Sequence, residues 1–125
     1  MWGEADFWDL IDRFVTESRI VIGRPKGTRH PSYPEVVYPA DYGYLENTRS
    51  MDGEGIDVWV GSSGKKQADT IICTVDMKKR DAEIKILIGC SEEEKEAILQ
   101  LLKAFSTISH ARAAWLLISA KKPTF

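Results

Sequence analysis

The sequence of 125 residues predicts one α+β domain, a small antiparallel β-barrel or strongly curved sheet with an N-terminal and a C-terminal helix. Three observations carry this expectation. Short runs of period-two alternation are separated by turn residues, helical periodicity is confined to the two ends, and no repeat or composition shift divides the chain. A chain of this length closes a single hydrophobic core. Its 43% apolar and 29% charged residues are ordinary for a globular protein, and a formal charge of -2 provides no long-range attraction to nucleic acid or an anionic membrane. The longest apolar stretch, residues 113–120, falls far short of the roughly 20 residues of a membrane span. The first six residues are acidic and lack a basic region followed by an apolar core, so they are expected to belong to the fold rather than to a secretory signal.

The elements follow in order. Phe7, Leu10, Ile11, Phe14 and Val15 share one face of a helix over residues 6–18. Residues 19–23 read as a short strand. Pro25, Gly27 and Pro31 then exclude regular structure from a basic loop. Residues 35–38 are strand-like, after which Pro39 and Gly43 are expected to make the chain irregular. Ile56, Val58 and Val60 alternate with Asp57 and Trp59, a strand in which Asp57 points away from the Val58 face. Residues 70–76 and 81–88 form a hairpin with the polar connection Met77, Lys78, Lys79, Arg80. Ser91 and Glu94 make a capping box for a helix to about Phe105, with Ile98, Leu101, Leu102 and Phe105 as its core stripe, and residues 115–119 close the chain as a last strand.

Cys73 and Cys90 stand in apolar strand contexts without metal-ligand spacing and read as core residues of a protein in a reducing cytoplasm. His30 and His110 have no partner at informative spacing and are expected on the surface. Trp2, Trp8, Trp59 and Trp115 are expected in the core or an interface.

Chemistry concentrates on two turns. In the hairpin, Asp76 and Asp81 become directly opposed, with Cβ atoms about 4.5–5.5 Å apart, where two like charges need exposure, protonation or a cation. The second turn offers Asp52, Glu54 and Asp57, spaced by Gly53 and Gly55. It is no EF-hand, which would need an oxygen ligand at Ile56, glycine at Asp57 and glutamate at Ser63. Carboxylates on both turns, without His or Cys among them, suit Mg²⁺ or Mn²⁺ and phosphoryl chemistry.

The run Tyr38, Pro39, Ala40, Asp41, Tyr42, Gly43, Tyr44, the turn from Asp52 to Asp57, and the pair Asp76 and Asp81 together resemble the family I soluble inorganic pyrophosphatases, over about residues 19–90. The resemblance implies an OB-like barrel of five antiparallel strands with added helices, and Mg²⁺-dependent hydrolysis of pyrophosphate to two phosphates, with Mn²⁺ as a possible substitute. It further implies that Asp52, Asp57 and Asp81 hold the metal carrying the nucleophilic water, while Asp76 and Asp81 share a metal delivered with the substrate. Glu54 takes the place of the carboxylate that accepts the water's proton, and Tyr42 that of a tyrosine hydrogen-bonding in the site. Family members are usually homo-oligomers.

The chain departs from the family pattern in its acidic turn, in its first strand and in its phosphate-binding groups. Glu54 and Gly55 replace Asp and Pro in the turn, and Gly23 replaces a Glu. Ser32 stands for a Lys, Glu83 stands for another Lys, and a C-terminal Tyr-Lys pair is missing. Lys26, Arg29 and Lys85, with Arg24 beside them, are the candidates to bind phosphate in their place, a solvated surface being the alternative. Two functions follow: an inorganic pyrophosphatase, or a weakly active or inactive relative that binds metal and phosphate. A nucleic-acid partner is disfavoured by the negative charge.

Overall fold

A computed structural model describes residues 3–110 and 112–120. Trp2 lies outside them. The chain runs α1 (Glu4–Glu17), β1 (Ile20–Arg24), β2 (Asp41–Leu45), β3 (Asp57–Val60), β4 (Ala68–Asp76), β5 (Asp81–Ile88), α2 (Glu92–Ile108) and β6 (Ala113–Ser119). The α+β composition and the helix positions agree with expectation.

The predicted closed, five-stranded, wholly antiparallel barrel is corrected. The six strands form one open mixed sheet in the order β1-β2-β3-β5-β4-β6. The hairpin of β4 and β5 folds back so that β5 lies beside β3 and runs parallel to it, with Val58, Trp59 and Val60 opposite Ile86, Leu87 and Ile88. Chain returning from α2 then takes the outer side of β4, from Thr70 opposite Ser119 to Asp76 opposite Ala113, leaving β1 and β6 as edges.

A second correction concerns residues 39–45. Gly43 does not interrupt the chain but lies within β2, opposite Ile22 on one side and Val58 on the other. A Cβ there would come within 1.8 Å of the Val21 carbonyl oxygen, so only glycine lets β1 approach this closely. Residues 35–38 contribute no full strand; a single bridge joins Val37 to Arg29.

Each sheet face has its own core. Ile11 and Val15 of α1 pack with Leu45, Val58, Ile71, Ile86 and Ile88, and Asp12 Oδ1 accepts from the Ala68 amide at 3.1 Å to fix α1 at the start of β4. Phe7, Leu10 and Phe14, predicted on the same helical stripe, remain over 40% exposed. On the other face, Ile98 and Leu102 of α2 cover Tyr38, Ala40, Trp59, Ile72 and Leu87. Burying each large side chain of this set contributes about 1.5–3 kcal/mol.

Helix α2 starts where the capping box places it. Ser91 Oγ accepts from the Glu94 amide at 3.1 Å, and Glu94 Oε1 accepts from the Ser91 amide at 2.9 Å. The Glu94 carboxylate also accepts from the Ser62 amide, tying the helix start to the chain beyond β3.

Candidate functional site

Strand alternation builds one wall of the site. In β5 it places Asp81, Glu83 and Lys85 on the α2 side of the sheet, opposite Asp76, Thr74 and Ile72 of β4, and Thr74 is in turn opposite Trp115 of β6. Asp76 and Asp81 are the directly opposed pair at the mouth of the hairpin. Asp76 Oδ1 also organises the connection, accepting from the amides of Lys78 at 2.9 Å and Lys79 at 3.1 Å.

The turn before β3 is held together by Asp52. Its Oδ1 accepts from Ser50 Oγ at 2.7 Å and from the Glu54 amide at 2.9 Å, while Gly53 adopts φ +83°, a conformation suited to glycine. Those two hydrogen bonds, Ser50 first, hold the Asp52 carboxyl below its ordinary range, and Lys79 of the hairpin adds a smaller pull. Glu54 itself is exposed.

Asp57 enters β3 and meets a cation. Lys85, only 9% exposed, donates to Asp57 Oδ2 at 2.8 Å and to the Tyr42 hydroxyl at 3.0 Å. Burial alone would lower the Lys85 pKa, but Tyr42 and Asp57 outweigh it and keep the ammonium protonated well above its ordinary range. Tyr42 is pushed up to about 12, mainly by burial, against the pull of Lys85, so its phenol stays neutral. Glu83 is raised by burial first and by Asp52 next, with further pushes from Asp57 and Asp81 and an opposing pull from Lys85. One carboxylate thus senses three of the four predicted metal ligands.

These groups open into a cavity of about 590 Å³. Asp76, Asp81, Glu83, Lys85, Lys78 and Lys79 line one part of it, together with Arg24, which hydrogen-bonds the Tyr38 hydroxyl. His30, Tyr33, Leu101, Phe105 and Trp115 line another part. His30 is not the isolated surface residue expected: its ring lies 5.1 Å from Phe105 and 5.3 Å from Tyr33. Burial, then Arg24, holds its imidazole below the ordinary pKa and hence neutral near pH 7.

Of the predicted site residues, Tyr42, Asp76, Asp81 and Lys85 line the cavity, and Asp57 is reached through Lys85. Asp52, Glu54, Lys26 and Arg29 are exposed and do not line it; the Lys26 amide donates to Asp41 and the Arg29 guanidinium to the Pro34 carbonyl. Among the described residues, no three His, Cys, Asp or Glu side chains stand grouped to hold a metal ion.

No protein-family model matches the chain. Inorganic pyrophosphatases of Geobacillus stearothermophilus and Bacillus sp. (strain PS3) are each 34% identical to it over 70 residues, 50% of this chain and 41% of the relative. In solved structures, an inorganic phosphatase of Anaplasma phagocytophilum superposes with a TM-score of 0.58 at 14% identity, covering 81% of this chain and 83% of that one. The inorganic pyrophosphatase of Helicobacter pylori gives 0.56 at 14% identity, covering 80% and 81%. That of Thermus thermophilus gives 0.52 at 18% identity, covering 81% of each chain.

The chain is similar in sequence to inorganic pyrophosphatases over half of its length, and in fold to solved structures named for the same group. It spans less than half the length of the curated pyrophosphatases it matches, while sharing their fold type with structures of the group over about four fifths of its length.

The donor chemistry suits a hard divalent cation. The anionic groups in the charged part of the cavity are the hard carboxylates of Asp76, Asp81 and Glu83, and Mg²⁺ typically takes one or two carboxylates, several waters and substrate phosphates rather than a closed protein cage. Asp76 with Asp81 supplies such a pair. The sequence suggested no place in the site for Glu83, although its alternation with Asp81 and Lys85 signalled the shared face, nor for Thr74, Tyr33 or Phe105, which only the nonlocal meeting of loop, sheet and helix brings together.

Proposed function

We propose that the chain hydrolyses inorganic pyrophosphate to two phosphates with Mg²⁺ as cofactor, Mn²⁺ being able to replace it. The observation that carries this reading is the Asp76 and Asp81 pair facing a cavity that also holds Lys85 and Arg24, on the fold of inorganic pyrophosphatases. Asp76 and Asp81 would share a metal that arrives with the substrate, and Asp52, Asp57 and Asp81 would hold the metal that carries the attacking water. When bound, it supplies a water of lowered pKa and neutralises phosphate charge. Glu54 accepts the proton of the attacking water, Tyr42 and Lys85 orient groups in the site, and Lys26 and Arg29 bring positive charge from the neighbouring loop. On the same reading the protein is a cytoplasmic homo-oligomer of single-domain chains.

Phosphate release from pyrophosphate across Mg²⁺, Mn²⁺ and Zn²⁺ tests the proposal. Release should require Mg²⁺ or Mn²⁺ and fall by more than about tenfold in Asp81→Asn, since even an outer-shell metal partner is worth about 10–100-fold. A protein inert with all three metals would end this reading.

One observation favours a second reading, a weak or inactive relative that binds metal and phosphate. The Lys85 ammonium already occupies Asp57 at 2.8 Å and so competes with any cation for that ligand. Metal binding by calorimetry without phosphate release is its signature.

A further inference from the structure

The cavity is larger and less polar than pyrophosphate needs. At about 590 Å³ with a predominantly apolar wall, it falls within the roughly 300–1,000 Å³ of sites that enclose an organic ligand. Pyrophosphate has neither a ring nor apolar surface to set against Phe105, Tyr33 and Leu101. The charged and aromatic parts of the cavity are joined along one row of the sheet, Glu83, Thr74, Trp115.

Two residues that line this cavity carry a buried polar atom without a partner. Trp59 is 1% exposed and Thr74 is 8% exposed, and neither Trp59 Nε1 nor Thr74 Oγ1 has a hydrogen-bond partner. The contrast with Trp115 is direct, since its Nε1 donates to Ser106 Oγ at 2.6 Å. Buried donors and acceptors are almost always satisfied by the protein or by an ordered molecule, so two unpaired ones in residues of one cavity call for a partner from outside the chain. A hydroxyl at Thr74 and an N–H at Trp59 call for a ligand with polar atoms between its charged and its flat part.

We propose that the cavity binds a nucleoside di- or triphosphate. Its phosphate chain lies at Asp76, Asp81 and Lys85 with a divalent cation, its sugar near Thr74, and its base against the rings of Tyr33, Phe105 and Trp115. This rests on the phosphoanhydride reading above and names the class of molecule that carries the anhydride. A neutral His30 adds a further flat face, and base stacking on aromatic side chains tolerates different bases.

Calorimetry with non-hydrolysable ligands in the presence of Mg²⁺ separates the two parts of the molecule. Methylenediphosphonate presents the phosphorus chain alone, while the α,β-methylene diphosphates of adenosine, guanosine, cytidine and uridine add a nucleoside. At least one nucleoside form should bind about tenfold or more tightly than methylenediphosphonate. Phe105→Leu, which keeps packing volume and removes the ring, should shrink that ratio. Thr74→Val should weaken nucleoside binding about fivefold without lowering the melting temperature, because the hydroxyl it removes is unpaired in the free protein. Equal affinity for all five ligands, or a ratio unmoved by both substitutions, overturns the inference. Phosphate release from pyrophosphate with no preference for nucleosides sinks the inference and leaves the hydrolase reading standing. Nucleoside binding without pyrophosphate turnover does the reverse.

Discussion

Lys85 concentrates the conflicting demands of the site on one side chain. It pairs with Asp57, a predicted metal ligand, and with Tyr42, from a position almost out of solvent. Lys85→Met should cost about 3 kcal/mol in denaturant unfolding, because it strands a partly buried carboxylate. The same change frees Asp57, so Mg²⁺ should raise the melting temperature of the variant by more than it raises that of the wild type, a comparison made by thermal shift. Equal Mg²⁺ responses would remove Asp57 from the ligand set. The ion pair was only half legible in the sequence. Alternation identified the face of Asp57 and that of Lys85, but the parallel registry of β3 with β5 that brings the faces together is a nonlocal pairing with no local signature.

At the scale of elements, the hairpin of β4 and β5 and the start of α2 follow local rules and were readable in advance. The register that opposes Asp76 to Asp81 follows from strand lengths and a short polar connection, and the capping box from Ser91 and Glu94 alone. Asp76 has two duties there, and substitution can separate them. Asp76→Asn keeps an oxygen for the Lys78 and Lys79 amides and removes a like charge from Asp81, so its melting temperature should match or exceed that of the wild type while phosphate release falls. Glu94 carries a pH signature. Burial would raise its pKa, but hydrogen bonds from Ser91 and Ser62 together lower it below 4.5. A depressed folded-state pKa adds stability above the unfolded value and loses it as pH falls through the folded value. The melting-temperature gap between wild type and Glu94→Gln should therefore be fully present near pH 7 and close as pH falls through the depressed carboxyl pKa. Strand β2 was misread because Gly43 is a common turn residue, whereas here its missing side chain admits a neighbouring strand.

For the molecule as a whole, a sheet with a helix on each face makes two cores of unequal consequence. Ile98, fully buried between α2 and the sheet, stands in the same core as Trp59 and Leu102 of the cavity wall. Ile98→Ala should cost about 2–5 kcal/mol in denaturant unfolding and reduce binding at the cavity. Val15, buried under α1 on the opposite face, offers the control: truncating it should lower stability with little effect on affinity measured well below the melting temperature. The open sheet was the least legible property, since closure depends on which edges meet, and β6 reaches β4 only after the whole of α2 has passed.

The two-faced sheet also sorts the indoles. Trp59 and Trp115 border the cavity, whereas Trp8 packs against the core under α1. Emission from the first two should change when the cavity fills, and Trp8→Phe should leave that change intact. The protein therefore carries its own unlabelled optical reporter of occupancy.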